Sequence, residues 1–113
     1  MKQKTLNLFW KQIKTKNGGT FGEHKRFIVS ITNKKYKTET LTLKRFDNNI
    51  RKLNNLAQDL NLKSYCFGFW NEKQLCYIDL NISIDNLKTA LNVGGVFNQI
   101  AIYDTKLNKE IRL

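Results

Sequence analysis

The stretch Tyr65–Leu80 constrains the fold more than any other part of the chain. Apolar side chains alternate through Tyr65, Phe67 and Phe69 and again through Cys76, Ile78 and Leu80, the period-2 mark of strands with one buried face. A turn centred on Glu72-Lys73 makes these runs an antiparallel hairpin in which Tyr65, Phe67 and Phe69 pair with Leu80, Ile78 and Cys76. The other face then carries Cys66, Gly68, Trp70, Tyr77 and Asp79. A sheet with one apolar face needs a second layer against it. Helical spacing supplies that layer on both sides. Ile50, Leu53, Leu56, Ala57 and Leu60 follow an Asp47 N-cap, in a helix running to about Asn61. Leu87, Ala90 and Leu91 follow a cap at Ser83 or Asp85, and Gly94-Gly95 either ends that helix or lets it pack closely on the sheet.

Further strands are expected at both ends. Residues 5–13 read as a first strand, with a short amphipathic helix as the alternative. A glycine-containing loop, Lys14 to Lys25, follows. Phe27, Val29 and Ile31 alternate with Ile28, Ser30 and Thr32, and Thr38–Lys44 is the expected partner, with Leu41 and Leu43 inward and threonines outward. Residues 100–103 and 110–113 form a last hairpin. The expected fold is α+β: one mixed or mostly antiparallel sheet, β-β-β-α-β-β-α-β-β, with two helices packed on one face. Residues 41–80 and 80–113 each read strand–helix–hairpin, which admits a β-α-β-β duplication. The 113 residues suit a single domain, 1–113, and 41% apolar residues are too many for a disordered chain.

Charge is distributed unevenly. Residues 1–45 carry 12 Lys/Arg against Glu23 and Glu39, whereas residues 46–113 carry 8 Lys/Arg against 7 acidic residues. The domain thus divides into a basic N-terminal β-rich half, 1–45, and a near-neutral part, 46–113. An AT-rich coding bias accounts for abundant Lys and Asn, but not for an asymmetry within one chain. Clustered like charge destabilises a fold unless a polyanion or acidic partner offsets it. Aromatic residues are interleaved with these cations. Basic side chains neutralise phosphates, and aromatic rings stack on unpaired bases. The candidate binding residues are Lys11, Lys14, Lys16, Phe21, Lys25, Arg26, Lys34, Lys35, Tyr36, Lys37, Lys44 and Arg45, with Tyr36 at a hairpin tip as the stacking candidate. Trp10 and Phe46 belong to the same interleaving with core as the alternative for both, and Phe46 reads better as core, as a staple before the Asp47 cap.

The residues for other chemistries are sparse. No Gly-Lys-Ser/Thr follows the 17–22 glycines, so they are not a Walker A loop. Cys66 and Cys76 fall on opposite faces of the hairpin and cannot bridge, and with one distant histidine they fall short of a zinc site. No cofactor or metal is expected. Paired carboxylates are missing. His24, beside Glu23, Lys25 and Arg26, is the one acid/base candidate, of the kind a metal-independent ribonuclease uses. No apolar run reaches the ~18 residues of a membrane span, and the broken N-terminal run is no signal peptide. The expected location is the cytoplasm of a bacterial host cell.

The segment Ala90-Leu-Asn-Val-Gly-Gly-Val-Phe-Asn-Gln-Ile-Ala-Ile-Tyr-Asp104, closing in Lys109-Glu-Ile-Arg-Leu113, resembles the C-terminal ends of small phage and plasmid accessory proteins. That resemblance, over about 25 residues, implies a small non-enzymatic anti-defence protein of the anti-CRISPR or anti-restriction type. Many such inhibitors are acidic DNA mimics, and this chain has the opposite charge. The resulting expectation is a non-catalytic binding protein of a mobile element. Its basic half would contact RNA, DNA or a nucleic-acid-bound protein effector and occlude it. The alternatives are docking on an acidic protein surface without nucleic acid, and a small ribonuclease using His24.

Overall fold

A computed structural model describes residues 1–32 and 34–113. Among them the chain forms three helices, α1 (Gln3–Thr15), α2 (Leu43–Asp59) and α3 (Leu87–Val96). They accompany seven strands: β1 (Gly18–Phe21), β2 (Phe27–Ser30), β3 (Lys34–Lys37), β4 (Tyr65–Glu72), β5 (Leu75–Ile84), β6 (Ala101–Asp104) and β7 (Lys109–Arg112). The strands form one antiparallel sheet in the order β1-β4-β5-β2-β6-β7, with β3 also paired to β5. The fold is α+β with a single sheet.

The β4–β5 hairpin is the middle of that sheet. Lys73 and Gln74 both take positive φ, 50° and 65°, as a tight two-residue turn requires. The turn therefore sits one residue later than Glu72-Lys73, and the pairs become Tyr65–Ile82, Phe67–Leu80 and Phe69–Ile78. Moving the turn by one residue slides the pairing by two, so every side chain keeps its face. Cys66 and Cys76 lie on opposite faces as free thiols.

Residues 5–13 are helical, not extended. Leu6, Phe9 and Ile13 are buried, a helical spacing, while Leu8 is 53% exposed. Leu, Lys and Gln are good helix formers and no β-branched run opposes them. The second helix begins earlier than its Asp47 cap would allow. Thr42 is the cap, its hydroxyl accepting from the Arg45 N–H at 3.3 Å, because the buried stripe already starts at Phe46 and continues through Ile50, Leu53 and Ala57. Asp47 instead accepts from Arg51 one turn on, at 3.0 Å. Thr38–Lys44 is consequently a turn and a helix start, and there is no threonine-faced strand opposite β2. The β-α-β-β duplication lacks its first strand for the same reason. Asn86, not Ser83 or Asp85, caps α3, accepting from Thr89 N–H at 3.0 Å. Ser83 is still within β5. Gly94 packs closely, since a Cβ there would lie 2.8 Å from Leu113 and 3.0 Å from Ile102.

Register settles which face the helices cover. Val29 opposes Ile82, and Phe27 opposes both Ile84 and Asp104, so Val29, Phe27 and Ile102 share the face of Phe67, Ile78 and Leu80. Leu6, Phe9, Phe46 and Ile50 pack on the β4–β5 part of that face, and Ala90 packs on the β2–β6 part. All three helices therefore lie on one side, one more helix than the sequence spacing indicates. The other side of the sheet carries Trp70, Tyr77, Asp79 and Tyr103 without a helix over it.

Phe9 is the most connected ring of this core. It stacks on Phe21 at 4.4 Å, meets Phe46 edge-on at 5.0 Å, and lies 5.9 Å from both Phe67 and Phe69. Phe9→Ala is expected to cost about 3–5 kcal/mol in urea unfolding, whereas Leu8→Ala stays within about 0.5 kcal/mol. The reverse ranking would indicate that residues 5–13 are extended.

Candidate nucleic-acid interface

The end of the molecule at the β4–β5 turn gathers cations from four separate segments. α1 ends in Lys14 and Lys16, β3 ends in Lys37, α2 begins with Lys44 and Arg45, and Lys73 occupies the hairpin turn; all six are exposed. Asn71 on β4 fixes the first of these segments. Its amide donates to the carbonyls of Ile13 at 2.8 Å and Lys16 at 2.9 Å, and its backbone N–H donates to Asn17 O at 2.7 Å. These bonds satisfy carbonyls that the end of a helix leaves open. The Thr38 N–H donates to Gln74 O at 3.0 Å, fastening the β3–α2 turn to the hairpin tip. Between the segments runs a shallow groove of about 440 Å³, lined by Trp10, Lys14, Lys16, Thr38, Leu41 and Asn71.

The electrostatics of this end favour an anion. Among the described residues the ion pairs are Arg26–Asp104 and Arg51–Asp47, so none of the six cations is neutralised by a carboxylate within salt-bridge reach. Glu39 and Glu72 are the acidic residues of the same two turns. The first turn of α2 carries Lys44 and Arg45 and no acidic residue, adding their charge to the positive end of the helix dipole. That arrangement disfavours the isolated fold and favours a bound phosphate. The Lys14 ammonium lies 5.6 Å from the Trp10 ring centroid, which braces it at the groove wall.

The remaining candidate residues are spread elsewhere. Lys11 is exposed on α1, and Lys34 and Lys35 lie on β3. The 14–25 loop is largely ordered structure, because β1 pairs with β4 through it. Phe21, expected as part of a flexible clamp, is buried at 8% exposure against Phe9 and has no face left for a ligand. Tyr36 is half-buried, its hydroxyl donating to the Asn49 side chain, because its β3 position points to the helix side. Lys25 and Arg26 lie beside the far end of β5, whose ten residues at about 3.3 Å each span roughly 30 Å. The Lys25 N–H donates to Ser83 Oγ there. Arg26 is a structural residue, its Nε and Nη2 donating to Asp104 at 3.0 and 2.8 Å, with the Asp104 side chain 1% exposed. Sequence reasoning missed Asn71, whose side-chain contacts lie more than fifty residues away in the chain, and Lys73, whose turn is joined to Thr38 of the β3–α2 turn.

Groups with catalytic potential are dispersed. His24 is exposed, and its Nδ1 lies 3.0 Å from the Gly22 carbonyl, to which it can only donate, leaving Nε2 as the ring's acceptor. Burial pushes the Cys66 thiol up to about 12 and that of Cys76 to about 11, so both stay protonated at neutral pH. Among the described residues no three His, Cys, Asp or Glu side chains are grouped to hold a metal, and no helix is long and apolar enough to cross a membrane. Comparisons of the chain with protein families, with characterised proteins and with solved structures give no match.

Two carboxyls away from the basic end contribute to the pH dependence of stability, in opposite senses. Burial raises the Asp79 carboxyl from 3.8 to about 6, against weaker lowering by hydrogen bonds from the Lys34 backbone and Ser30. Between about 4 and 6 the folded chain holds more protons than the unfolded one, so this group makes stability fall as pH rises through that window. The Arg26 hydrogen bonds hold Asp104 down at about 2, so its contribution is complete above about pH 4 and is lost as pH falls towards 2. Asp79→Asn is expected to raise Tm at neutral pH and to flatten the profile between pH 4 and 6. Arg26→Ala is expected to lower Tm at neutral pH by more than charge reversal at Lys14. Circular-dichroism melts from about pH 4 to neutral pH check both.

Proposed function

We propose that this protein is a non-catalytic nucleic-acid-binding protein whose basic end grips a phosphate backbone, in free RNA or DNA or in a ribonucleoprotein, and occludes it. The observation that carries this reading is the gathering of Lys14, Lys16, Lys37, Lys44, Arg45 and Lys73 at the element ends around the hairpin tip, with Lys14 and Lys16 lining the groove and, among the described residues, no carboxylate within salt-bridge reach of any of the six. Affinity would come from counterion release and from the open start of α2, so recognition is of backbone and shape. The likeness of residues 90–113 to phage and plasmid accessory proteins supports an anti-defence setting, in which the bound domain blocks a nucleic-acid channel of a host effector.

Titration of labelled duplex DNA and single-stranded RNA at several salt concentrations tests this. Engagement of about five phosphates gives a log K against log salt slope near −4.5 on duplex and near −3.5 on single strands. Reversing both Lys14 and Lys16 to Glu should weaken binding to all sequences and reduce the magnitude of the duplex slope by about two. An unchanged slope in that double variant overturns the site. A stoichiometric complex with an acidic protein that survives nuclease, with no polymer binding, overturns the nucleic-acid reading altogether.

A further inference from the structure

The helix-free face of the sheet carries an aromatic row that leads directly off the basic end. Register aligns Lys35 on β3, Tyr77 on β5, Trp70 on β4 and Gly18 on β1 as one cross-strand row. The next row towards the hairpin tip holds Lys37, Leu75 and Glu72. Trp70 is 53% exposed, an unusual position for the largest apolar side chain on a strand whose neighbours Phe67 and Phe69 are buried. Its indole lies over Gly18, where a Cβ would come within 2.5 Å of the ring. Glycine thus leaves room for the ring, the Glu72 carboxylate accepts from Nε1 at 3.4 Å, and about half of the side chain is left to solvent. Lys16 lies two residues before Gly18, and Lys35, Lys37 and Lys73 border the same rows. Beyond Trp70 the face opens into a concavity of about 510 Å³ that includes Thr20, Ser30, Asp79, Tyr103 and Glu110.

Resting on the nucleic-acid reading above, we infer that Trp70 is a base-stacking platform and that the ligand is a single strand. An exposed indole seated against glycine, with Lys16, Lys35, Lys37 and Lys73 bordering its rows, offers what an unpaired base needs: a π-system for the base and cations for the phosphates. A duplex has its bases already stacked and presents only its backbone to such a surface. Asp79 and Glu110 confine the path. They repel phosphates from the β6–β7 side, and the Glu72 carboxylate at the indole N–H does the same on the hairpin-tip row, so the strand runs from the Lys14–Lys16 groove across Trp70 and Tyr77 to Lys35.

Binding of a short oligouridine strand and of a blunt-ended DNA duplex to wild type, Trp70→Ala and Trp70→Phe tests the inference. Loss of one stacked base, about 1–3 kcal/mol, is a fall of about 5- to 150-fold. Trp70→Ala should show that fall on the strand and leave duplex affinity unchanged, with Trp70→Phe recovering part of it. Strand binding should also quench the wild-type indole fluorescence, and that quench should be absent from Trp70→Ala. An unchanged strand-to-duplex ratio, or an equal loss on both polymers, overturns the stacking role while leaving the basic end in place. Failure of wild type to bind either polymer overturns the stacking role together with the reading beneath it.

Discussion

The stacking of Phe9 on Phe21, with ring centroids 4.4 Å apart and planes within 4° of parallel, couples the first helix to the strand that follows it. The same ring reaches Phe46 on α2 and Phe67 and Phe69 on β4, so one side chain joins four elements. Aromatic pairs in such geometries add about 0.5–1.5 kcal/mol each beyond the area they bury. With α1 held in this way, its last turn can end only at the hairpin tip, where the Asn71 amide receives it. The position of Lys14 and Lys16 therefore follows from apolar packing about one to two turns earlier along α1, and not from any attraction between the cations themselves.

Cations serve two purposes in this molecule. Arg26 is bound in a forked hydrogen bond to a buried aspartate, and removing either partner would strand the other. It tethers β2 to the end of β6, and its net charge is cancelled. The lysines at the hairpin tip are left uncompensated, and two of the group stand at the unfavourable end of a helix dipole. A fold that can neutralise a guanidinium so completely at one end and leaves several cations open at the other concentrates its field in one region. The carboxylates of the open face, Asp79 and Glu110, sharpen that polarity further.

The sequence makes the centre of the sheet legible because alternation is a local property. Tyr65, Phe67 and Phe69 against Ile78 and Leu80 declare their face whatever the turn does, and only the exact partner shifts when Lys73-Gln74 takes the turn. Residues 5–13 were harder to read. Leu6, Leu8 and Trp10 satisfy a strand while Leu6, Phe9 and Ile13 satisfy a helix, and the choice rests on ring contacts with Phe46 and Phe67 that no short window contains. The same holds for Thr38–Lys44, where Leu41 and Leu43 mimic a strand ahead of a helix whose stripe starts at Phe46. For the candidate site, the concentration of positive charge was visible in the first 45 residues, but its division was not. Pairing along β5 sends Lys25 and Arg26 to one end of the molecule and Lys37 to the other. Trp70 was already on the outward face by parity alone; what the sequence could not supply was Gly18 beneath it, fifty residues earlier in the chain.

The strand order also dictates a timetable. β1 needs residues 67–70 of β4, β3 needs residues 75–78 of β5 and β2 needs residues 81–84, so the strands of the first 37 residues are not all paired until residue 84 has been made. At synthesis rates of about 5–20 residues per second, that gap amounts to roughly 2–10 s. During that interval the most positively charged third of the protein lacks its full set of strand partners. The central hairpin is therefore both the frame of the sheet and the piece for which the N-terminal strands wait.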